Sequence, residues 1–212
     1  MLHSLEDVTG VSVIATDGEI GKVRDFLFDD QTWKLRYFVV DVGSWLKRRD
    51  VVISVSAIDQ PDWAGKTFRA HLTKEQVKHS PDVDSTKPVS RQEEIAMNKY
   101  FGWPDYWDTA GAFGEISAAS VPPGRDFAGH AKENPHLRSA EQVAGYSVWD
   151  EGSEVGRLEH FIVDEVSWHI GYLDVKTGDW LHSRSMLVPT RWVKSMSWAE
   201  RRVNLKHARK EA

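Results

Sequence analysis

The sequence predicts an all-β protein with minor helix, arranged as two small antiparallel β-barrels in tandem. Two observations carry that prediction. The first is an internal duplication. The stretch from Gly10 to Val55 and the stretch from Gly145 to Thr190 align without a gap at a constant separation of 135 residues, and 14 of the 46 positions are identical. Identities include Gly21/Gly156, Phe26/Phe161, Asp29/Asp164, Trp33/Trp168, Tyr37/Tyr172 and Trp45/Trp180. A repeat of this kind means that one structural unit occurs twice. The second observation is the pattern inside each copy, which is short apolar runs at close spacing separated by polar turns. That is the signature of an antiparallel barrel.

The elements follow in order. Ser4, just before Glu6 and Asp7, can cap a short helical turn. Val11 to Ala15 reads as the first strand, and Thr16-Asp17-Gly18-Glu19 as a tight turn, because Asp-Gly tolerates positive φ. A second strand runs from Gly21 through Asp29. It is apolar on both faces, with Val23 and Leu27 on one and Phe26 and Phe28 on the other, which predicts a bulge or a curled strand. After the polar turn Asp29-Asp30-Gln31-Thr32, Lys34 to Val42 is rich in aromatic and β-branched residues. Gly43-Ser44 ends it. A basic tip, Lys47-Arg48-Arg49, leads into a strand at Val51 to Val55, and Lys66 to Leu72 reads as a fifth. Thr73 is placed to N-cap a short helix that Ser80-Pro81 terminates. Ser90 and Glu93 resemble a capping box for a helix over Arg91 to Tyr100. The aromatic run Tyr100 to Trp107 follows, and residues 108–136, rich in Gly, Ala, Ser and Pro, read as a flexible linker. The strand pattern then repeats from Tyr146 to Leu205. The expected domains are therefore 1–80 and 137–212, with a helical, aromatic and flexible segment over 81–136.

Composition narrows the chemistry. The chain has 212 residues, ten Trp, eight Phe and no Cys, which excludes disulfides, thiol catalysis and thiolate-bound metal. No run approaches the roughly 18–20 apolar residues of a membrane span. The first residues have neither a basic start nor an apolar core, so no signal peptide is expected. The expectation is a cytoplasmic protein, with peripheral contact to the inner membrane left open. Net charge is −5, unevenly spread: residues 191–212 carry +5 and residues 1–190 carry −10. The global sign disfavours nucleic acid as a partner. The basic tail, Arg201 to Lys210, is the feature that allows peripheral contact with an anionic membrane.

Two stretches of the first copy, DGEIGKVRDFLFDD and WKLRYFVVDVGSWL, resemble the PRC-barrel domain family, and EVGRLEHFIVDEVSWHIGYLDV does so in the second. TKEQVKHSP and YFGWPDYW resemble segments that accompany this domain in bacterial two-repeat members. The resemblance implies small all-β barrels. The family includes the cytoplasmic domain of the photosynthetic reaction-centre H subunit and the C-terminal domain of ribosome-maturation factors. It implies no common set of catalytic residues.

Candidate residues follow from the repeat. Gly21 and Gly156 mark places where a strand must bend or pack closely. Trp33 and Trp168 are expected to pack at the barrel ends. Trp45 and Trp180 are expected to offer aromatic surface to a partner, since such residues are enriched at binding hot spots. The run Tyr100 to Trp107 is expected to pack against barrel surface, because five aromatics in eight residues are costly to leave in water; the rival reading keeps Trp103, Tyr106 and Trp107 as an exposed patch for a partner. His160 and Asp164, with Glu159 and His169 nearby and Asp25 and Asp29 at matching positions of the first copy, read as a solvated cluster without metal-ligand spacing. No nucleophile–base motif is present. The expected function is a non-catalytic interaction or adaptor module with an unidentified protein partner and no cofactor. Homo-oligomerisation is left open. The alternatives are an accessory role in photosynthetic or membrane electron transfer, or association with ribosomes or RNA.

Overall fold

The computed structural model describes residues 1–46, 50–59, 61–81, 89, 91–106, 137–178 and 184–206. The basic tip at 47–49, Ser90, the linker expected over 108–136, and the tail beyond 206 lie outside them. The chain begins with β1 (Leu2–Ser4) and the helical turn α1 (Leu5–Val8), then β2 (Ser12–Ala15), β3 (Gly18–Asp29), β4 (Lys34–Asp41), β5 (Asp50–Ser54) and β6 (Thr67–Arg69). Two helices follow, α2 (Lys74–Lys78) and α3 (Arg91–Phe101). The second half repeats the order with β7 (Leu137–Ser139), α4 (Ala140–Val143), β8 (Ser147–Asp150), β9 (Ser153–Asp164), β10 (Ile170–Thr177), β11 (Arg184–Pro189), β12 (Val193–Ser197) and β13 (Arg202–Leu205).

Each half contributes one sheet, in the order β5-β4-β3-β2-β6 and β11-β10-β9-β8-β13-β12. Pairing is antiparallel except at β2 with β6 and at β8 with β13, which run parallel. This corrects the purely antiparallel expectation. A long excursion separates β5 from β6, so β6 comes back alongside β2 in the same direction. Ile58, just after β5, bridges Ala70, just after β6. The first sheet therefore curls enough for the segments that follow its two edge strands to meet. Register shifts in β3 at Val23/Asp25 and Leu27/Phe28 supply the bulges that such curling needs.

The two halves are interlocked. β1 leaves the first half and pairs with β9 of the second, while β7 leaves the second and pairs with β3 of the first. The registers are equivalent: Leu2 faces Asp164 and Leu137 faces Asp29. Two further bonds cross reciprocally, Leu35 N to the Trp168 carbonyl at 2.9 Å and Ile170 N to the Trp33 carbonyl at 2.7 Å. Such mutual contacts between equivalent positions are those of an isologous two-fold interface, here built within one chain. The β1 strand is further clasped at Glu165, which accepts from the N-terminal amine at 3.0 Å and lies 2.7 Å from His3 Nε2. Those bonds, the N-terminal one foremost, hold its carboxyl below the ordinary range.

The repeated Asp and Trp explain each other. Asp29 Oδ1 accepts from Gln31 N and Thr32 N, and Asp164 Oδ1 from Val166 N and Ser167 N. Each aspartate thereby caps the turn that leads to its tryptophan. Trp33 and Trp168 sit in the left-handed region, at φ +54° and +55°, which non-glycine residues rarely occupy. The crossing carbonyl bonds hold them there.

One buried cluster runs through both halves, from Val13 and Phe38 to Leu158 and Leu173. Phe28 meets Phe161 at 5.0 Å between ring centroids. A second cluster, including Leu27, Tyr37, Val39 and Val52, lies on the other face of β3–β5 with Met97 of α3. The two-sided apolarity of β3 thus has two causes, the bulges and the cover that α3 provides. Helix α2 begins with a complete capping box between Thr73 and Gln76.

Gly21 lies where β3 and β4 approach closely. A Cβ there would come within 2.9 Å of the Asp41 carbonyl carbon and closer still to its oxygen. Gly156 is equivalent, with a Cβ 3.0 Å from the Lys176 carbonyl carbon. Backbone cannot move aside as a side chain would. Gly21→Val is expected to cost about 1–3 kcal/mol, read as a lowered denaturation midpoint. An unchanged midpoint would refute the close-approach account.

Candidate functional site

The two interlocked turns create a groove on the pseudo-two-fold axis. Ser4 and Ser139 each end an exchanged strand and cap the helical turn behind it, accepting from Glu6 N at 3.2 Å and from Gln142 N at 3.1 Å. The turns α1 and α4 are thereby seated on the long strand of the opposite half, β9 and β3. Between them lies an open groove of about 370 Å³. Its walls pair off across the axis: Leu5 with Ala140, Glu6 with Glu141, Thr9 with Ala144, Arg24 with Glu159, Asp25 with His160, and Phe26 with Phe161. Each pair is separated by the same 135 residues as the sequence repeat. Leu5, Phe26 and Phe161 form the floor and are almost wholly buried.

The charges break the symmetry. Asp25 is buried, and its carboxylate accepts from Ser139 Oγ at 2.5 Å and from Glu141 N at 2.9 Å. These donors offset the desolvation of a buried carboxylate. At the equivalent corner His160 Nε2 lies 3.2 Å from Glu6 Oε2, an ion pair when the imidazole is protonated. Arg24 and Glu159 are tied to neighbours outside the groove, Asp50 at 2.8 Å and Lys176 at 2.8 Å. The hydrogen bond to Glu159 raises the Lys176 amine above its ordinary range. The Glu141 carboxylate has no ion pair among the described residues.

The cluster around His160 does not converge. His160 faces the groove, whereas Asp164 caps its own turn, and bonds from the Ser167 backbone and side chain lower its carboxyl. Four residues of strand span roughly 13 Å, too far for one ion to bridge. Among the described residues no three His, Asp or Glu side chains could hold a metal ion together.

The aromatic candidates divide. Trp168 packs across the interface, its ring 5.2 Å from Phe38 and 6.2 Å from Phe68. Trp33 is buried and stacks on Phe28 at 5.8 Å. Trp107, Trp180 and the side chain of Trp45 lie outside the described residues. Trp103 and Tyr106 pack inward against the second cluster, in line with the packing expectation rather than its partner-facing rival. Trp103 stacks on Phe101 at 4.2 Å. The Tyr106 hydroxyl donates to Glu94 at 2.8 Å, and the Arg36 guanidinium sits 3.8 Å over its ring. Large aromatic surfaces following a short helix over a small sheet are most stable folded back onto it. The basic C-terminal strands also lean on aromatics: Arg202 lies over Trp149 at 4.6 Å, and Arg201 over Tyr146 at 5.6 Å.

The sequence did not point to the groove, because its walls come from segments far apart in the chain. The one available signal was the exact offset between paired positions such as Glu6 and Glu141.

Among the described residues, no helix is long and apolar enough to cross a membrane. In comparison with known proteins, residues 2–76 match the PRC-barrel domain. A stretch of 90 residues, 42% of this chain, is 38% identical to an uncharacterized protein of Deinococcus radiodurans. The match covers 32% of that protein, so the chain spans about a third of its relative's length.

Proposed function

From the PRC-barrel domain at residues 2–76, we propose that this protein is a non-catalytic protein-binding module whose binding site is the groove on the pseudo-two-fold axis. The observation that carries this reading is the groove's construction. Six pairs of equivalent residues from both halves line it, and its apolar floor is rimmed by charged side chains. An apolar cleft with a few placed polar groups is the usual form of a binding site. The groups inside favour holding over chemistry. Asp25 is locked by two donors, and Arg24 and Glu159 are committed to neighbouring strands. The interlocked strands keep both lips in a fixed relation, which lowers the ordering cost of binding.

Photo-crosslinking in cells tests the reading. A benzophenone side chain placed at Thr9 or Ala144 is expected to form protein adducts, and one placed at exposed Glu200 is not. Equal adducts from all three positions, or none from the groove, would overturn it.

A further inference from the structure

The chemistry of the groove also specifies its occupant, given that the groove is the binding site proposed above. We propose that the occupant is a short cationic protein segment in which lysine or arginine alternates with aliphatic residues. Charge complementarity carries the choice. Four carboxylates line the groove, Glu6, Asp25, Glu141 and Glu159, against one permanent cation, Arg24. Arg24 is spoken for by Asp50 outside the groove, and Glu159 by Lys176. The inner charge is then set by Glu6, Glu141 and buried Asp25, with His160 beside Glu6 as the one basic group. Glu6 and Glu141 stand at equivalent places on opposite lips, and Glu141 holds no cation among the described residues.

The floor suits the same partner. Lysine and arginine lay their aliphatic stems along apolar surface while the charged head stays at the rim. Phe26, Phe161 and Leu5 provide that surface, and Glu6 and Glu141 provide the rim. Residues 1–190 carry a formal charge of −10, so the field over this part of the molecule attracts a cationic segment and repels an acidic one. The broken symmetry adds direction. Asp25 opposes His160 and Thr9 opposes Ala144 across the axis, so the two orientations of a bound segment are not equivalent.

The test is fluorescence anisotropy with the intact protein and an end-capped hexapeptide of alternating leucine and lysine. Its counterpart carries glutamate in place of lysine. The basic peptide is expected to bind, and to bind less tightly as salt rises. The double variant Glu6→Gln with Glu141→Gln is expected to weaken it about tenfold, while Glu200→Gln leaves it unchanged. Ala144→Phe, which projects a ring from the wall into the groove, is expected to weaken it independently of salt. Circular dichroism melts confirm that the variants are folded. Equal affinity for the acidic peptide, undiminished binding to the double variant, or displacement by spermidine at the peptide's own concentration would overturn the proposal. So would sedimentation showing a second copy of the chain released when the peptide binds. If groove crosslinks form in cells but the basic peptide fails, the partner chemistry is wrong and the module reading stands. If neither is seen, both fall.

Discussion

Trp168→Ala is expected to destabilise the protein by about 3 kcal/mol, at the lower end of the range for removing a large aromatic from a core. Trp168 is half-buried, and its ring crosses from the second half to Phe38 and Phe68 of the first. Its loss removes packing between the halves as well as within one. The carbonyl that accepts from Leu35 N remains, so the backbone crossing survives while the side-chain plug does not. Trp168→Gly separates two contributions. It deletes the same ring, but glycine occupies φ +55° without strain. The glycine variant is therefore expected to melt above the alanine variant. If the order is reversed, backbone strain at this turn is negligible. If alanine leaves the denaturation midpoint unchanged, the ring does not hold the halves together.

Glu94→Ala is expected to cost about 3–5 kcal/mol, the scale for removing one partner of a buried charged network. Glu94 is fully buried on the inner face of α3. Its Oε1 accepts from the hydroxyls of Tyr37 at 3.2 Å and Tyr106 at 2.8 Å, and its Oε2 lies 3.0 Å from Arg91. Alanine would leave two phenol donors without their acceptor and a partly buried guanidinium without its carboxylate. Glu94→Gln keeps an acceptor oxygen and is expected to cost less, about 1–2 kcal/mol. The same network fixes an alkaline limit. Burial first, and then the neighbouring Glu94 carboxylate, push both tyrosines far above their ordinary value of 10.0. The folded protein keeps these protons where the unfolded chain releases them. The stabilisation is full below the ordinary tyrosine value and is lost as pH rises above it. Denaturant melts across that range check the sign. Stability that stays flat above the ordinary tyrosine value, or a harmless Glu94→Ala, would remove the network from the account.

Much of the fold was legible because its causes are local. Gly21 needs no side chain because the next strand passes close by, and that need recurs at Gly156. Asp29 and Trp33 shape one turn, and Asp164 and Trp168 repeat it. Thr73 caps α2 with Gln76, four positions that any reader of the chain can see. The aromatic segment was legible as a run that packs inward after α3, but the contacts that Trp103 and Tyr106 make were not. Their contacts with Phe101, Glu94 and Arg36 depend on how α3 lies over the sheet, and no spacing along the chain encodes that.

The duplication, the strand-rich fold and the turns between strands can be read along the chain, because hydrophobic period and turn chemistry act over a few residues. Long-range packing sets the rest: β1 and β7 change places, β6 and β13 run parallel to β2 and β8, and the two halves share a core. The reason is physical. Leu2–Ser4 could pair with β3 or with β9, and the two long strands are copies of each other, so the residues of the short strand favour neither. Only the packing of the whole chain breaks that tie. The groove exists because the tie was broken by exchange, which carries Glu6 to His160 and Glu141 to Asp25.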